Sequence, residues 1–456
     1  MRVFSREERR SYQYLLAWLI IALFSGLLGA LVVPGFSFLF QSMNRFFQSL
    51  DNVPLLLFPL GGALLVGAVV YRLEPRAMGE GIPSYLHAMR KGHGHLPFSE
   101  TFYKFWAALI TLGTFGNGGI LGPVGRINAG LMSLTSKLLP KERLVKQDFA
   151  LFPICGLAAA LGALVHSSIG AGIFAVEIIQ KSNMRYRQLF PAILASSASV
   201  FFSQSLGFVP VLDFATIPQE VDLRISGLVL LVALLAGLLG RGYILLYSKI
   251  SQLFSRDEHE SAMKTTVNVA IGGLGSFLLV YYLHPQLIGT SAPVIQAVLE
   301  GNLEILYGNL PAFLPLVAVG LILIVLKALA NSLTVGSGLS AGFAGPAMLM
   351  GLLLGMGVAQ LFSIPLGSPE YLALLTAGFA GVLSSTMNTP IASGVMVVEI
   401  FGLHYSLSAA LGAIIGFQVN RHNTLYDMAL DEWEEDLADE LPQEFSEKAK
   451  NETIQE

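Results

Sequence analysis

The sequence predicts an all-α polytopic membrane protein made of two related repeats, with many tilted and broken helices. Three observations lead there. Of 456 residues only 13% are charged and 54% are hydrophobic, at a mean hydropathy of +0.64. Several long stretches contain no Asp, Glu, Lys or Arg. The chain also repeats itself at a nearly constant offset.

Soluble domains carry roughly 25% charged residues, so the deficit points to lipid as the main solvent. A spanning helix needs about 20 apolar residues, and the apolar content amounts to on the order of ten or more spans. Charge is uneven. Asp431 to Glu456 holds 11 acids and 2 lysines, so removing it takes the net charge from -4 to +5. Such a block reads as a solvated acidic tail too short to fold as a second domain. The single cysteine, Cys155, lies in an apolar run, which excludes an intrachain disulfide and a cysteine metal cluster. Met1 to Arg10 is charged, and the apolar run after it is too long for a signal peptide, so it is read as a retained first helix. Four segments are expected: an N-terminal cytoplasmic segment over 1–11, a first membrane repeat over 12–210, a second over 211–430, and the tail over 431–456.

In chain order, the charge-free runs are Tyr12 to Asn44, Phe105 to Gly125, Phe149 to Val176, Gln188 to Leu212, Thr265 to Leu299, Ala328 to Pro369 and Tyr371 to Val398. Some are twice the length of one span, enough for a hairpin or two tilted helices. Their Gly, Pro, Ser and Asn mark broken helices lining a protected cavity. Charged connectors separate them at Arg76 to Arg90, Lys137 to Lys146, Lys181 to Arg187 and Arg256 to Lys264. Basic Arg2 to Arg10 and Lys181 to Arg187 point to cytoplasmic faces. Both termini are expected in the cytoplasm, with the chain multi-pass in a cell membrane, the bacterial inner membrane.

The repeat is the most informative feature. Gly156 to Ile178 and Gly378 to Ile400 align without gaps at an offset of 222, with 8 identities in 23 positions, ending in Val176-Glu177-Ile178 and Val398-Glu399-Ile400. Upstream, Gly116, Gly118, Gly122 and Gly125 precede Gly336, Gly338, Gly342 and Gly345 by 220 residues. Repeated halves of this kind meet at a midplane substrate site built by interrupted helices.

Three glycine-rich breaks stand out: Gly79-Glu80-Gly81-Ile82-Pro83, Gly122-Pro123-Val124-Gly125-Arg126, and Gly336-Ser337-Gly338 continuing to Gly342-Phe343-Ala344-Gly345-Pro346. Each is suited to start a helix. A helix N-terminus exposes unpaired N–H groups and the positive end of its dipole, so it attracts anions. Several such ends at midplane hold an anion weakly enough to release it, as conduction requires.

These motifs, in this order, resemble those of the CLC chloride channel and transporter family, whose anion path is lined by GSGIP, G(K/R)EGP and GxFxP segments and a tyrosine on the last membrane helix. Here they match Gly79 to Pro83, Gly122 to Arg126, Gly342 to Pro346 and Tyr426. Lys104 resembles the family's lysine before the gating motif. The resemblance covers about Tyr12 to Leu430. It implies a CLC-like fold of two inverted-topology repeats, a homodimer with one pathway per subunit, chloride or a similar small anion as cargo, and no cofactor. The implied anion pathway comprises Gly79, Glu80, Gly81, Ile82, Gly122, Val124, Gly125, Arg126, Gly342, Phe343, Ala344 and Tyr426, with Lys104 acting near it. No C-terminal pair of CBS regulatory domains is found.

The departures bear on mechanism. Val124 stands where the family has its gating glutamate, and Ile178 where it has its internal proton-transfer glutamate. Proton coupling needs titratable groups in the interior, so uncoupled flow is expected. Glu80 replaces the serine of GSGIP, and Arg126 the proline of G(K/R)EGP. The two charges are expected to compensate each other, as an ion pair or across a bound anion. Alternatively Glu80 is protonated and donates to the anion, acts as a substitute gate from the inner side, or turns away to cytosolic water. Glu177 is expected to end its helix near the cytosol. Phe343 and Ala344 would offer backbone N–H groups, with the Phe343 ring packing as any helix residue does. Tyr426 would donate its hydroxyl, against the reading of an interfacial tyrosine. His166 and its counterpart Asn388 suit a structural hydrogen bond between helices. His284, His404 and His422 show no metal spacing.

The leading function is an uncoupled small-anion channel. The alternative is a secondary transporter of chloride, fluoride or another small anion, with proton sensitivity through Glu80. An enzyme is not indicated, since there is no Ser/His/Asp set, phosphate loop or metal cluster. Nucleic-acid binding is not indicated either, as there is no basic stripe.

Overall fold

The computed structural model describes residues 6–51, 53–92, 94–136, 149–180, 186–210, 223–254 and 262–438. Most of the acidic tail, the boundary at 211 and most of the basic connectors therefore lie outside the described residues.

The first helix, α1 (Arg6–Gln48), is continuous through Pro34. Its 43 residues span about 65 Å at 1.5 Å per residue, twice the hydrocarbon thickness. The run Tyr12 to Asn44 is thus one long helix and not a hairpin, because no glycine-bearing break with positive φ interrupts it. There follow α2 (Leu57–Leu65) and α3 (Tyr71–Leu73), joined by a π-turn at Val66–Val70, and then α4 (Ile82–Arg90), α5 (Phe98–Gly113), α6 (Leu121–Ser136), α7 (Leu151–Val165), α8 (Ser168–Gln180) and α9 (Tyr186–Ser205). The second half comprises α10 (Leu223–Leu253), α11 (Ala262–Leu283), α12 (Ala292–Glu300), α13 (Leu303–Tyr307), α14 (Leu316–Gly336), α15 (Ala344–Leu361), α16 (Pro369–Met387), α17 (Pro390–Phe401), α18 (Ser406–Val419) and α19 (Leu425–Ala438).

Among the described residues, 5 helices are long and apolar enough to cross a membrane, fewer than the apolar content counted in whole spans. The difference lies in the breaks. Runs such as Phe149 to Val176 fold as two short helices, α7 and α8, either side of a turn at His166 (φ 52°). Asn388, its repeat counterpart, makes the same left-handed turn between α16 and α17 (φ 58°). Asparagine tolerates that conformation better than most residues. Both positions are thus helix-ending turns.

The repeat seen in sequence is a repeat in packing. In the first half α7 sits between α1, α6 and α9; in the second, α16 sits between α10, α15 and α18. The halves meet along α8 with α17 and α2 with α11. Small residues allow the helices to approach closely. A Cβ on Gly378 would lie 2.1 Å from the Gly351 carbonyl oxygen, so α15 and α16 touch backbone to backbone. The outer surface is apolar. On α10, Leu230, Leu234, Leu238 and Leu245 are exposed, while Val232, Ala233 and Ala236 are buried. This inside-out distribution fits a lipid-facing exterior.

Candidate functional site

The three glycine-rich breaks come together, two of the contacts made by backbone and the third by a side chain. The Gly79 amide donates to the Gly338 carbonyl at 2.9 Å, which also accepts the Tyr71 hydroxyl at 2.6 Å. Gly119 and Gly342 exchange two bonds, of 2.8 and 2.6 Å. The third contact runs through the Glu80 side chain, which lies on Gly122: a Cβ there would be 1.8 Å from Glu80 Oε1. The starts of α4, α6 and α15 therefore point at one place. Only glycine fits at two of these positions, Gly81 because of its φ of +116° and Gly122 because of that contact.

Glu80 is 1% exposed, which rules out the reading in which it turns to cytosolic water. Its Oε2 accepts the Ile82 amide at 2.7 Å, at the first turn of α4. The Phe343 backbone amide, at the start of α15, is directed at the same carboxylate. Oε1 has no hydrogen-bond partner among the described residues. The carboxylate thus sits where the sequence places an anion, in the field of three helix N-termini.

Arg126 does not pair with Glu80, and this corrects the expected ion pair. Its guanidinium, 1% exposed, bonds Glu100 Oε2 from Nη2 at 2.8 Å, Ser84 Oγ from Nε at 2.8 Å and Thr101 Oγ1 from Nη1 at 3.1 Å. It clamps α6 to α4 and α5. Glu100 also meets Arg76 at 3.5 Å. The cation that acts electrostatically on Glu80 is Lys104, one helical turn beyond Glu100 on α5. Its ammonium donates to the carbonyls of Ala77 (3.1 Å), Met78 (3.3 Å) and Gly79. It thereby fixes the stem of the Glu80 loop.

Tyr426 is buried, faces the Glu80 charge, and has Met387 Sδ at 3.6 Å as a soft partner for its hydroxyl. The Phe343 ring packs edge-on against Tyr247 at 4.9 Å and lies 6.2 Å from the Tyr426 ring. Val124, Ala344 and Ile82 are buried around the same point. Gly125 turns toward α7, where a Cβ would strike Leu157. Ile178 lies on the far side of Tyr426. It lines a cavity of about 10 Å³ with Glu177, Arg90, Asn388, Thr424 and Tyr426, about the space of one water.

Several residues of this region were not singled out from sequence. Tyr243 on α10 also faces Glu80, and its hydroxyl donates to Asn331 Oδ1. Asn331 in turn donates to the carbonyls of Asn117 (3.1 Å) and Gly342 (3.2 Å), holding the α15 break. Lys327 on α14 is fully buried and donates to Leu287 (3.3 Å) and Gly289 (2.6 Å) carbonyls. This arrangement mirrors Lys104. The loop it holds follows a 3-10 turn at Pro285–Leu287, as the Glu80 loop follows one at Pro75–Ala77. The signal was present: Glu74-Pro75 to Ile82-Pro83 and His284-Pro285 to Ala292-Pro293 keep an offset of 210, but share few identities.

Among the described residues the site combines helix-start amides and the Tyr426 phenol with the buried Glu80 carboxylate, while the nearby cation, Lys104, is engaged by loop carbonyls. Helix-start amides stabilise a small anion with modest energy per contact and suit rapid release.

Comparisons with known proteins fit this geometry. A family described as "Voltage gated chloride channel" matches residues 62–421. An uncharacterized protein of Methanocaldococcus jannaschii is 27% identical over 417 residues, 91% of this chain and 96% of the relative. A voltage-gated ClC-type chloride channel, ClcB, of Salmonella typhimurium is 25% identical, over 90% of this chain and 97% of the relative. The crystal structure of a CLC-type fluoride/proton antiporter superposes with a TM-score of 0.76 at 21% identity, covering 94% of this chain and 99% of that one. A slow cyanobacterial Cl-/H+ antiporter gives 0.74 at 16% identity, covering 91% and 96%.

Proposed function

The chain belongs to the voltage-gated chloride channel (CLC) family, and from that premise we propose that it passes small inorganic anions, chloride first among them, without proton coupling. The carrying observation is the convergence of the α4, α6 and α15 starts on one buried point. The uncoupled reading rests on Val124 and Ile178, side chains that hold no proton at the two stations where coupled relatives would carry carboxylates. A buried aliphatic residue at each place leaves no titratable step there.

One observation favours a second reading, secondary transport with proton sensitivity: Glu80 puts a carboxylate inside the anion site from the α4 side. The protein is taken to work as a homodimer in a cell membrane with both termini in the cytoplasm. The apolar side chains exposed on α8, α17 and α18 (Ile169, Ile391, Leu407 and Ile414) offer a face for a second copy.

The test is anion efflux from liposomes holding the full chain, comparing chloride, fluoride, nitrate and bicarbonate with and without a pH gradient. Passive flux with no proton-driven accumulation supports the first reading. Uphill chloride or fluoride movement driven by protons replaces it with the second.

A further inference from the structure

We infer that Lys327 is the counter-charge of the passing anion, a buried cation of the second repeat that raises anion affinity through space. The inference rests on the anion-passage reading and adds to it a residue that sets the strength of binding.

A charge is left over in the interior. The Asp, Glu, Lys and Arg side chains buried among the described residues are Glu80, Glu100, Lys104, Arg126, Glu177 and Lys327. Arg126 pairs with Glu100, Lys104 acts on Glu80, and Glu177 caps the start of α17. No acid among the described residues pairs with Lys327 or acts on it electrostatically. Its ammonium donates to the Leu287 carbonyl at 3.3 Å and the Gly289 carbonyl at 2.6 Å. These dipoles solvate the cation but carry no opposite charge, and a buried charge without one is costly. A mobile anion supplies it.

The repeat shows which acid is missing. At the offset of 210 that relates the two loops, Ala77 and Gly79 correspond to Leu287 and Gly289, so the two lysines hold equivalent carbonyls. Glu80 corresponds to Thr290. The first loop thus carries the acid that compensates its lysine, and the second carries an uncharged hydroxyl in the same place.

The charge is also placed to act on the site. The Gly289 carbonyl that holds Lys327 accepts the Gly118 amide at 3.1 Å, and the Gly289 amide donates to Asn117 Oδ1 at 3.0 Å. Gly118 leads into Gly119, which is bonded to Gly342, and on into the start of α6. Lys327 is therefore one carbonyl removed from the backbone where the α6 and α15 breaks meet. In a dry interior a unit charge acts well beyond contact distance. Lys327 works through space and through Gly289, as a positioning residue and not as a ligand.

The experiment compares the full chain with Thr290→Glu, Thr290→Gln and Lys327→Gln. Chloride binding in detergent is measured by calorimetry, and chloride efflux is followed from liposomes. Thr290 is only partly buried, so a longer side chain has room. Thr290→Glu restores the acid that the second loop omits and leaves the carbonyl bonds of the lysine in place. It is expected to weaken chloride binding roughly tenfold or more, the effect of neutralising one charge near the site. Thr290→Gln, of the same size without the charge, should bind as the parent does, and Lys327→Gln should weaken binding as Thr290→Glu does. Parent-like affinity in Thr290→Glu overturns the inference even where Lys327→Gln binds weakly, because that combination assigns Lys327 to holding the loop alone. Equal weakening by Thr290→Glu and Thr290→Gln overturns it as well. Should Lys327→Gln fail to fold, the two Thr290 variants decide. Charge-dependent binding with no efflux from the parent sustains the inference and overturns the passage reading instead.

Discussion

Glu177 and Glu399, 222 residues apart in the repeat, each cap a helix of the opposite half. Glu177 accepts the amides of Ile391 (3.1 Å) and Ala392 (2.8 Å) at the start of α17. Glu399 accepts those of Ile169 (2.9 Å) and Gly170 (2.9 Å) at the start of α8, and the Ser167 hydroxyl at 2.5 Å. Each carboxylate satisfies N–H groups that have no partner within their own helix. The two halves are thereby joined crosswise.

Removing either cap is expected to loosen the joint between halves. Glu399→Ala, which loses amide and hydroxyl bonds together, should lower stability by about 1–3 kcal/mol, and Glu177→Ala by less. Thermal unfolding in detergent checks the order. Equal and negligible shifts would mean that water replaces the carboxylates without cost.

Arg126 and Glu100 form a buried pair, with side-chain exposures of 1% and 7%. Removing Glu100 leaves Arg126 an unpaired charge in a dry place, at about 3–5 kcal/mol, whereas removing Arg126 leaves Glu100 its second partner, Arg76. Glu100→Leu should be severe and Arg126→Met less so. Together they should cost clearly less than the sum, and a double-mutant cycle on unfolding measures the coupling.

Lys104 supplies the positive charge acting on the Glu80 loop. Lys104→Met should reduce chloride efflux by roughly tenfold, the scale of an electrostatic contribution to recruiting an anion, and should leave three loop carbonyls without their donor. Adding Glu80→Gln should restore part of the flux if the loss is electrostatic. No restoration would assign the loss to the misplaced loop.

The contact between Gly378 and Gly351 leaves no room for a side chain. Gly378→Ala should destabilise by about 1–3 kcal/mol through forced separation of α15 and α16. Gly357→Ala, on α15 where a Cβ meets nothing within 4 Å, should be neutral or mildly stabilising. Paired melting curves test the contrast.

Much of the fold was legible because the lipid environment restricts the alternatives. Charge-free runs have to be helices, and glycine breaks at the same offset in both halves mark where those helices stop. Gly79 to Pro83, Gly122 to Arg126 and Gly342 to Pro346 were found that way. Tyr243, Asn331 and Lys327 were not. Each is a single polar residue within an apolar helix, and which neighbour it reaches depends on helix rotation. The run after Arg10 is one helix, as read from the sequence, but its length alone left open whether it turned back.

The sequence by itself determined the repeat, the amide-rich helix starts, and the absence of carboxylates at Val124 and Ile178. It left open how the two new charges, Glu80 and Arg126, are compensated. Only the tertiary structure decided this, by the way α5 lies against α4 and α6. Glu100 and Lys104 stand one turn apart on α5 and so share a face. Glu100 takes Arg126, and Lys104 serves the Glu80 loop. The reason is distance: electrostatic partners in a dry interior are chosen over a few ångströms through space, a separation that spacing along the chain does not encode.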